Sequence, residues 1–188
     1  MSTSHIVKLK NVRLSFPRLF RSRAFQEGQV PKFEATFLLD PSIKAHAKSI
    51  KEIQDTAMVV AHEKWGKKIP KSVEYCFGDA AENDKEYDGY EGMFYLSTSN
   101  TARPVVVDRQ RNPVTEEDNI VYAGCYVNTN VTFWTMDNPA HPEYGKKVCC
   151  NLRIVQFVKD GDAFGMAAAN AEEELDELDD ADEEDYLD

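Results

Sequence analysis

No stretch of the 188-residue chain reaches the ~18 consecutive apolar residues that a membrane-spanning helix needs. Met1 to Lys10 hold no apolar segment of signal-peptide length, so a cytoplasmic location with no membrane partner is expected. Cysteine is scarce: Cys76, Cys125, Cys149 and Cys150 are never spaced C-x-x-C, and the adjacent pair would bridge only with strain. That argues against a disulfide framework, and with 42% hydrophobic residues the chain does not need one. Buried small apolar cysteines are the expectation; the rival reading, a metal held by His141 with Cys149, Cys150 or Cys125, has weak support. Catalytic signatures are missing too: there is no G-x-x-x-x-G-K-[ST], no H-E-x-x-H and no G-x-S-x-G. His5, His46, His62 and His141 are scattered, and no nucleophile has an evident base. The sequence therefore predicts a protein with no catalytic residues, no metal and no cofactor.

Basic residues are outnumbered, 22 Lys and Arg against 33 Asp and Glu, for a net charge of −11. Such a balance argues against a polyanionic partner until it is divided along the chain. From Glu172 to Asp188 stand twelve carboxylates and no base; subtracting them from 33 leaves 21 acidic residues against 22 basic, a body of about +1. Met1 to Gln26 carry Lys8, Lys10, Arg13, Arg18, Arg21 and Arg23 without one carboxylate. Basic at one end and acidic at the other is a polarity that calls for a functional reading.

What is present divides into a body, residues 1–166, and an acidic tail, 167–188, expected to be disordered because it has little apolar content to offset its ordering entropy. In the body, residues 5–16 alternate as a strand whose parity shifts near Asn11, predicting a bulge, and Pro17 is expected to close it. Residues 32–39 form a second strand with Phe33, Ala35, Phe37 and Leu39 on one face. Asp40-Pro41 reads as an N-cap and first helical residue. Ile43, Ala47, Ile50, Ile53, Ala57, Val60, Ala61 and Trp65 then recur at helical spacing up to Gly66. Lys44, Lys48 and Lys51 lie on the other face, where solvation is the plain reading and nucleic-acid contact the sharper one. Residues 78–92 read as an exposed acidic loop; its carboxylates would suit a nuclease metal site, but no histidine or apolar pocket accompanies them. Short strands are expected at 93–98, 104–107, 120–135 and 148–159, the last ending in a hairpin-type turn at Asp160-Gly161. The sum is mainly β with one long helix: a small barrel elaborated by that helix.

Within 119–136, NIVYAGCYVNTNVTFWTM, a period of two puts Val121, Ala123, Cys125, Val127, Val131 and Phe133 on a core face. Tyr122, Tyr126 and Trp134 fall on the other, interleaved with Gly124, Asn128, Asn130 and Thr132. Flat rings among small polar groups are what stacking of unpaired bases requires, since every base has a π face. Secondary core beneath a loop is the competing reading for each ring. Around Arg13 to Phe25, cations alternate with Phe16, Phe20 and Phe25 over a segment expected to be irregular after Pro17. Guanidinium groups bind phosphate bidentately and stack on bases. Phosphate contacts are accordingly assigned to Lys8, Lys10, Arg13, Arg18, Arg21 and Arg23, and more weakly to Arg103, Arg109, Arg111, Lys146 and Lys147. Stacking is assigned to Tyr122, Tyr126, Trp134, Phe16 and Phe20. The tail mimics a phosphate backbone and, tethered at roughly millimolar effective concentration, can compete for a basic groove. Asp182, Glu183, Glu184 and Asp185 carry that charge, and Tyr186 and Leu187 offer partners a hydrophobic hook. The alternatives are a solubility tail, or a DNA-mimic module in which the tail acts alone and the body binds no DNA.

The strings RPVVVD (Arg103–Asp108), IVYAGCYVNTNVTFW (Ile120–Trp134) and NLRIVQFVKDGDAFG (Asn151–Gly165) resemble a family of tailed-phage single-stranded DNA-binding proteins. VRLSFPRLF (Val12–Phe20), KFEATFLL and the helix after Asp40-Pro41 are similar to its N-terminal half, so the resemblance covers roughly residues 6–166. It implies an OB-fold core with inserted elements, sequence-independent single-stranded DNA binding in phage replication or recombination, and tail contacts with proteins of those processes. It also places the protein in the cytoplasm of an infected or lysogenic bacterium, and a homodimer is compatible with it.

Overall fold

The computed structural model describes residues 5–165. The tail candidates Asp182, Glu183, Glu184, Asp185, Tyr186 and Leu187 lie outside the described residues, as does the boundary at 166/167.

Strand β1 (Ile6–Arg23) buries Val7, Leu9, Val12 and Leu14 and leaves Lys8 and Lys10 in solvent. Asn11 takes a φ of 54°, and the register against strand β7 (Tyr126–Asp137) shifts between Leu9 and Val12, so the bulge stands where the parity shift predicts it. Pro17 does not close the strand. Phe16 has a φ of 45° and the register against the next strand, β2 (Lys32–Leu39), shifts between Ser15 and Arg18. The proline thus falls in a second bulge, where its missing N–H costs no ladder bond, and Arg18 to Arg23 are strand rather than irregular. β2 spans Lys32–Leu39, as its alternation predicts.

Helix α1 runs Lys44–Trp65, starting later than the Asp40-Pro41 signal. The Asp40 carboxylate accepts from the Ser42 N–H (2.9 Å) and hydroxyl (2.7 Å), and the Ile43 N–H reaches the Asp40 carbonyl (3.1 Å). That makes a turn with proline at its second position, and Ile43, not Asp40, precedes the helix. Ile43 and Ala47 are accordingly exposed, while His46, Ile53, Ala57, Val60 and Ala61 are buried. His46 Nδ1 accepts the Asp40 N–H (3.0 Å) and its Nε2 bonds the Asn11 carbonyl (3.0 Å), fastening the helix start to the β1 bulge. Gly66, with a φ of 77°, ends the helix as expected.

Short strands β3 (Glu74–Tyr75) and β4 (Phe77–Asp79) precede the acidic loop. That loop is not wholly exposed: Ala80 and Tyr90 are buried, the Tyr90 hydroxyl reaching Ser15 Oγ (3.1 Å). β5 (Phe94–Asn100) and β6 (Val105–Val107) follow. β7 covers Tyr126–Asp137, not the whole of 120–135. Gly124 has a φ of 106° and the Cys125 N–H turns back to the Tyr122 carbonyl (3.2 Å), so Tyr122 lies off the strand and does not continue the outward row of Tyr126 and Trp134. β8 (Lys146–Lys159) ends without a hairpin at Asp160-Gly161. Residues 160–165 instead fold back as a strap over Gly124, with the Phe164 N–H on the Ala123 carbonyl (3.0 Å).

β1 pairs with β2, β2 with β5, β7 with β1 and β8 with β7, all antiparallel; a parallel Ser99–Asn151 pairing of β5 with β8 closes the ring. The result is the expected OB-like barrel with one helix, and it closes with five strands. Phe37, Leu96, Phe133 and Leu152 fill its interior, and Ile53, Ala57 and Val60 of α1 join the same core. Each of these Phe, Leu, Ile and Val side chains contributes about 1.5–3 kcal/mol on burial. Cys125 and Cys150 are buried, and burial pushes the Cys149 thiol up to about 11. Among the described residues no cluster of His, Cys, Asp or Glu has metal-site geometry.

Candidate nucleic-acid interface

In chain order the barrel strands are β1, β2, β5, β7 and β8, so its second and third strands are β2 and β5. OB barrels bind oligonucleotides over that pair and the loops joining strands one–two and four–five. Here those loops are residues 24–31 and 138–145. Inward positions of β5 are Phe94, Leu96 and Thr98, which leaves Tyr95, Ser97 and Ser99 outward beside Lys32, Glu34 and Thr36 of β2.

Two depressions over this face merge at Phe25 and Glu34 into one trough. The first, about 340 Å³, is lined by Phe16, Arg18, Phe25, Lys85, Tyr87 and Tyr95 among others. The second, about 630 Å³, lies between the two loops and is lined by Arg23, Phe25, Lys32, Met136, Tyr144 and Lys147 among others. Phe25 is 63% exposed and Phe16 55%, an apolar exposure that a free-standing protein gains nothing from. Phe16 is tipped outward by its positive φ and meets the Tyr87 ring edge-on at 5.0 Å. Arg18 and Arg23 lie over the Phe25 ring at 5.6 and 5.9 Å, and Lys85 over Tyr95 at 5.7 Å. Burial raises the Tyr95 hydroxyl pKa and, against hydrogen bonds with Ser15 and Thr36 that lower it, that of Tyr90. A third depression beyond Phe16 and Tyr87 is lined by Glu86, Asp88, Ala123 and Phe164, so the trough grades from acidic at the strap to basic at the loops.

The family model for the single-stranded DNA-binding protein of Enterobacter phage Enc34 matches residues 5–187. The chain belongs to that family. Putative protein p50 of Acyrthosiphon pisum secondary endosymbiont phage 1 is 42% identical, over 96% of this chain and 98% of its own length. The single-stranded DNA-binding protein of bacteriophage Enc34, solved in complex with ssDNA, superposes with a TM-score of 0.74 at 26% identity. That match covers 86% of this chain and 90% of the other. Gp2.5, the single-stranded DNA-binding protein encoded by bacteriophage T7, shares the fold, with a TM-score of 0.55 at 14% identity over 93% of this chain and 97% of the other.

Within this family member the sequence candidates scatter over three regions. Phe16, Arg18, Arg23 and Lys147 line the trough. Arg13, Tyr122 and Tyr126 gather instead at the strap. Arg13 donates from Nε to the Gly124 carbonyl (3.0 Å) and from Nη2 to the Asp162 carbonyl (2.7 Å), and its guanidinium lies 4.3 Å from the Phe164 ring centre. The Tyr122 hydroxyl donates to Asp160 (2.8 Å), and Tyr126 packs against Gly161 with Lys159 4.6 Å above its ring. The other candidates stand apart. Arg103 lies over Phe20 at 5.9 Å, Arg21 pairs with Glu116 (2.8 Å), and Lys146 pairs with Asp137 (2.7 Å). Arg109 donates to the Val158 carbonyl (2.7 Å), Arg111 lines a separate hollow beside Asn128 and Asn130, and Lys8 and Lys10 are outward on β1. Sequence reasoning passed over Lys32, Lys85, Tyr87, Tyr95 and Tyr144. The alternation KFEATFLL against FYLSTSN carried a signal for Lys32 and Tyr95; for loop residues Lys85, Tyr87 and Tyr144 there was none.

Proposed function

We propose that this protein binds single-stranded DNA without sequence preference in the β2–β5 trough and performs no chemistry on it. The observation that carries the reading is one continuous surface of exposed rings and cations. Phe16, Phe25, Tyr87 and Tyr144 offer stacking faces, and Arg18, Arg23, Lys32, Lys85 and Lys147 offer phosphate contacts. Family membership and the ssDNA complex of the Enc34 protein support it. Outward hydroxyls of Thr36, Ser97 and Ser99 between the rings give hydrogen-bonding groups with no preference among bases.

The tail completes the reading. Its twelve carboxylates between Glu172 and Asp188 compete with DNA for the basic end of the trough, and Tyr186 and Leu187 serve as a hook for replication or recombination proteins of the phage. Anisotropy titration with a fluorescent oligo-dT tests both parts. The full chain should bind, with affinity falling steeply as salt rises. Phe25→Ala should weaken binding by about 1–3 kcal/mol, the worth of one stacked base. A chain ending at Ala171 should bind more tightly at low salt, with the advantage shrinking at high salt. Absence of binding by both lengths would dismiss the trough, and equal affinity of the two would dismiss the competing tail.

A further inference from the structure

A second face of the barrel is exposed, basic and unused by the trough. β1 presents Lys8 and Lys10, β7 presents Asn130 and Trp134, and β8 presents Asn151 and Arg153; the alternate residues Val7, Leu9, Val131 and Phe133 point to the core shared with α1. Across the ladders Lys8 stands opposite Asn130, and Asn130 opposite Ile154. Leu152 answers Val131 one step on, so Arg153 is the extra residue of a bulge and projects outward. Residues 6–10, 128–134 and 149–154 include no carboxylate, and Lys8, Lys10 and Arg153 make no ion pair among the described residues.

This face joins the trough at one place. Met136 and Lys147, a cross-strand pair in the trough lining, are followed on the same outward parity by Trp134 and Cys149, also a pair. The Trp134 indole, 39% exposed, donates to Asn151 (2.9 Å), and Asn151 pairs with Ser99 of the trough wall. An exposed ring held in place by a hydrogen bond thus stands where the trough opens onto three unpaired cations.

The geometry points to a second leg of the nucleic-acid path. Single-stranded DNA leaving the trough beside Lys147 stacks a base on Trp134 and continues along β7, its phosphates meeting Arg153, Lys8 and Lys10. Continuity with the trough and charge complementarity select this occupant, and the inference rests on the trough binding DNA. Trp134 and the three cations then set how much DNA one protein covers rather than whether it binds.

Oligonucleotide length separates the two ideas. With DNA in molar excess, so that each strand carries at most one protein, affinities for oligo-dT of about 8 and about 20 nucleotides are compared, the shorter lying within the span of a single OB fold. The variant K8Q/K10Q/R153Q should bind the short strand as the parent does. On the long strand it should lose about tenfold or more, with a salt slope shallower by about 2, from ~0.7 per phosphate contact in single strands. Trp134→Ala should show the same length-restricted loss, and unchanged melting curves check that both variants fold. Equal losses at both lengths, or no loss on the long strand, would overturn the second leg while leaving the trough standing. Failure of the parent to bind the short strand would remove the trough and this inference together.

Discussion

Arg13 illustrates how the surroundings of a basic residue can hold it to packing. Its position in an acid-free basic segment suggested phosphate, yet its donors are spent on the carbonyls of Gly124 and Asp162 and its face on Phe164. Arg13→Met should therefore destabilise the protein by about 2–3 kcal/mol in urea titration, because it leaves two carbonyls without a charged donor. Its effect on oligonucleotide affinity, measured well below the unfolding midpoint, should be small. Asp137 makes a second case at this scale. Hydrogen bonds from Lys146 and Trp65 hold its carboxyl below the ordinary 3.8. A depressed carboxylate pKa adds stability that is complete above the unfolded-state value and disappears as pH falls through the folded one. Stability should thus drop as pH goes below about 4, and Asp137→Asn should flatten that part of the curve in thermal melts.

Among the elements, the strands were the most legible because alternation is a local signal: β2 has its expected bounds and β1 its expected bulge at Asn11. Boundaries failed where side chains answered to distant partners. Asp40 caps Ser42 rather than the helix because His46 takes its N–H while reaching across to Asn11. The strap was invisible, since an Asp-Gly pair after a strand reads as a hairpin and nothing local says that residues 160–165 will lie on Gly124. A Cβ on Gly124 would stand 2.1 Å from the Asp162 carbonyl oxygen, at a φ of 106°. Gly124→Ala should accordingly lift the strap, costing about 2 kcal/mol or more. Hydrogen exchange is the measurement: the Phe164 amide, bonded to Ala123, should exchange much faster in the variant, while amides at the centre of β7 keep their protection.

For the whole molecule, the buried core among the described residues ends at Val155, ahead of every carboxylate of the acidic run. A chain ending at Ala171 should therefore melt within about 2 °C of the full chain, less than 1 kcal/mol for a body of this size. A larger drop would show that the tail supports the barrel and is not a separate region. Some of this was decided by sequence alone: a β-rich body with one helix, the charge polarity and the family. Those features are read from composition, local periodicity and motif order, which need no knowledge of what lies across the barrel. Only the tertiary structure decided which rings share a surface. Closing β5 onto β8 sets Tyr95, Lys32 and Lys147 around one trough with Phe25, while the Gly124 turn and the strap draw Tyr122 and Tyr126 into packing at its end. The reason is geometric: strand parity tells on which side of a sheet a residue falls, and barrel closure determines what meets it there.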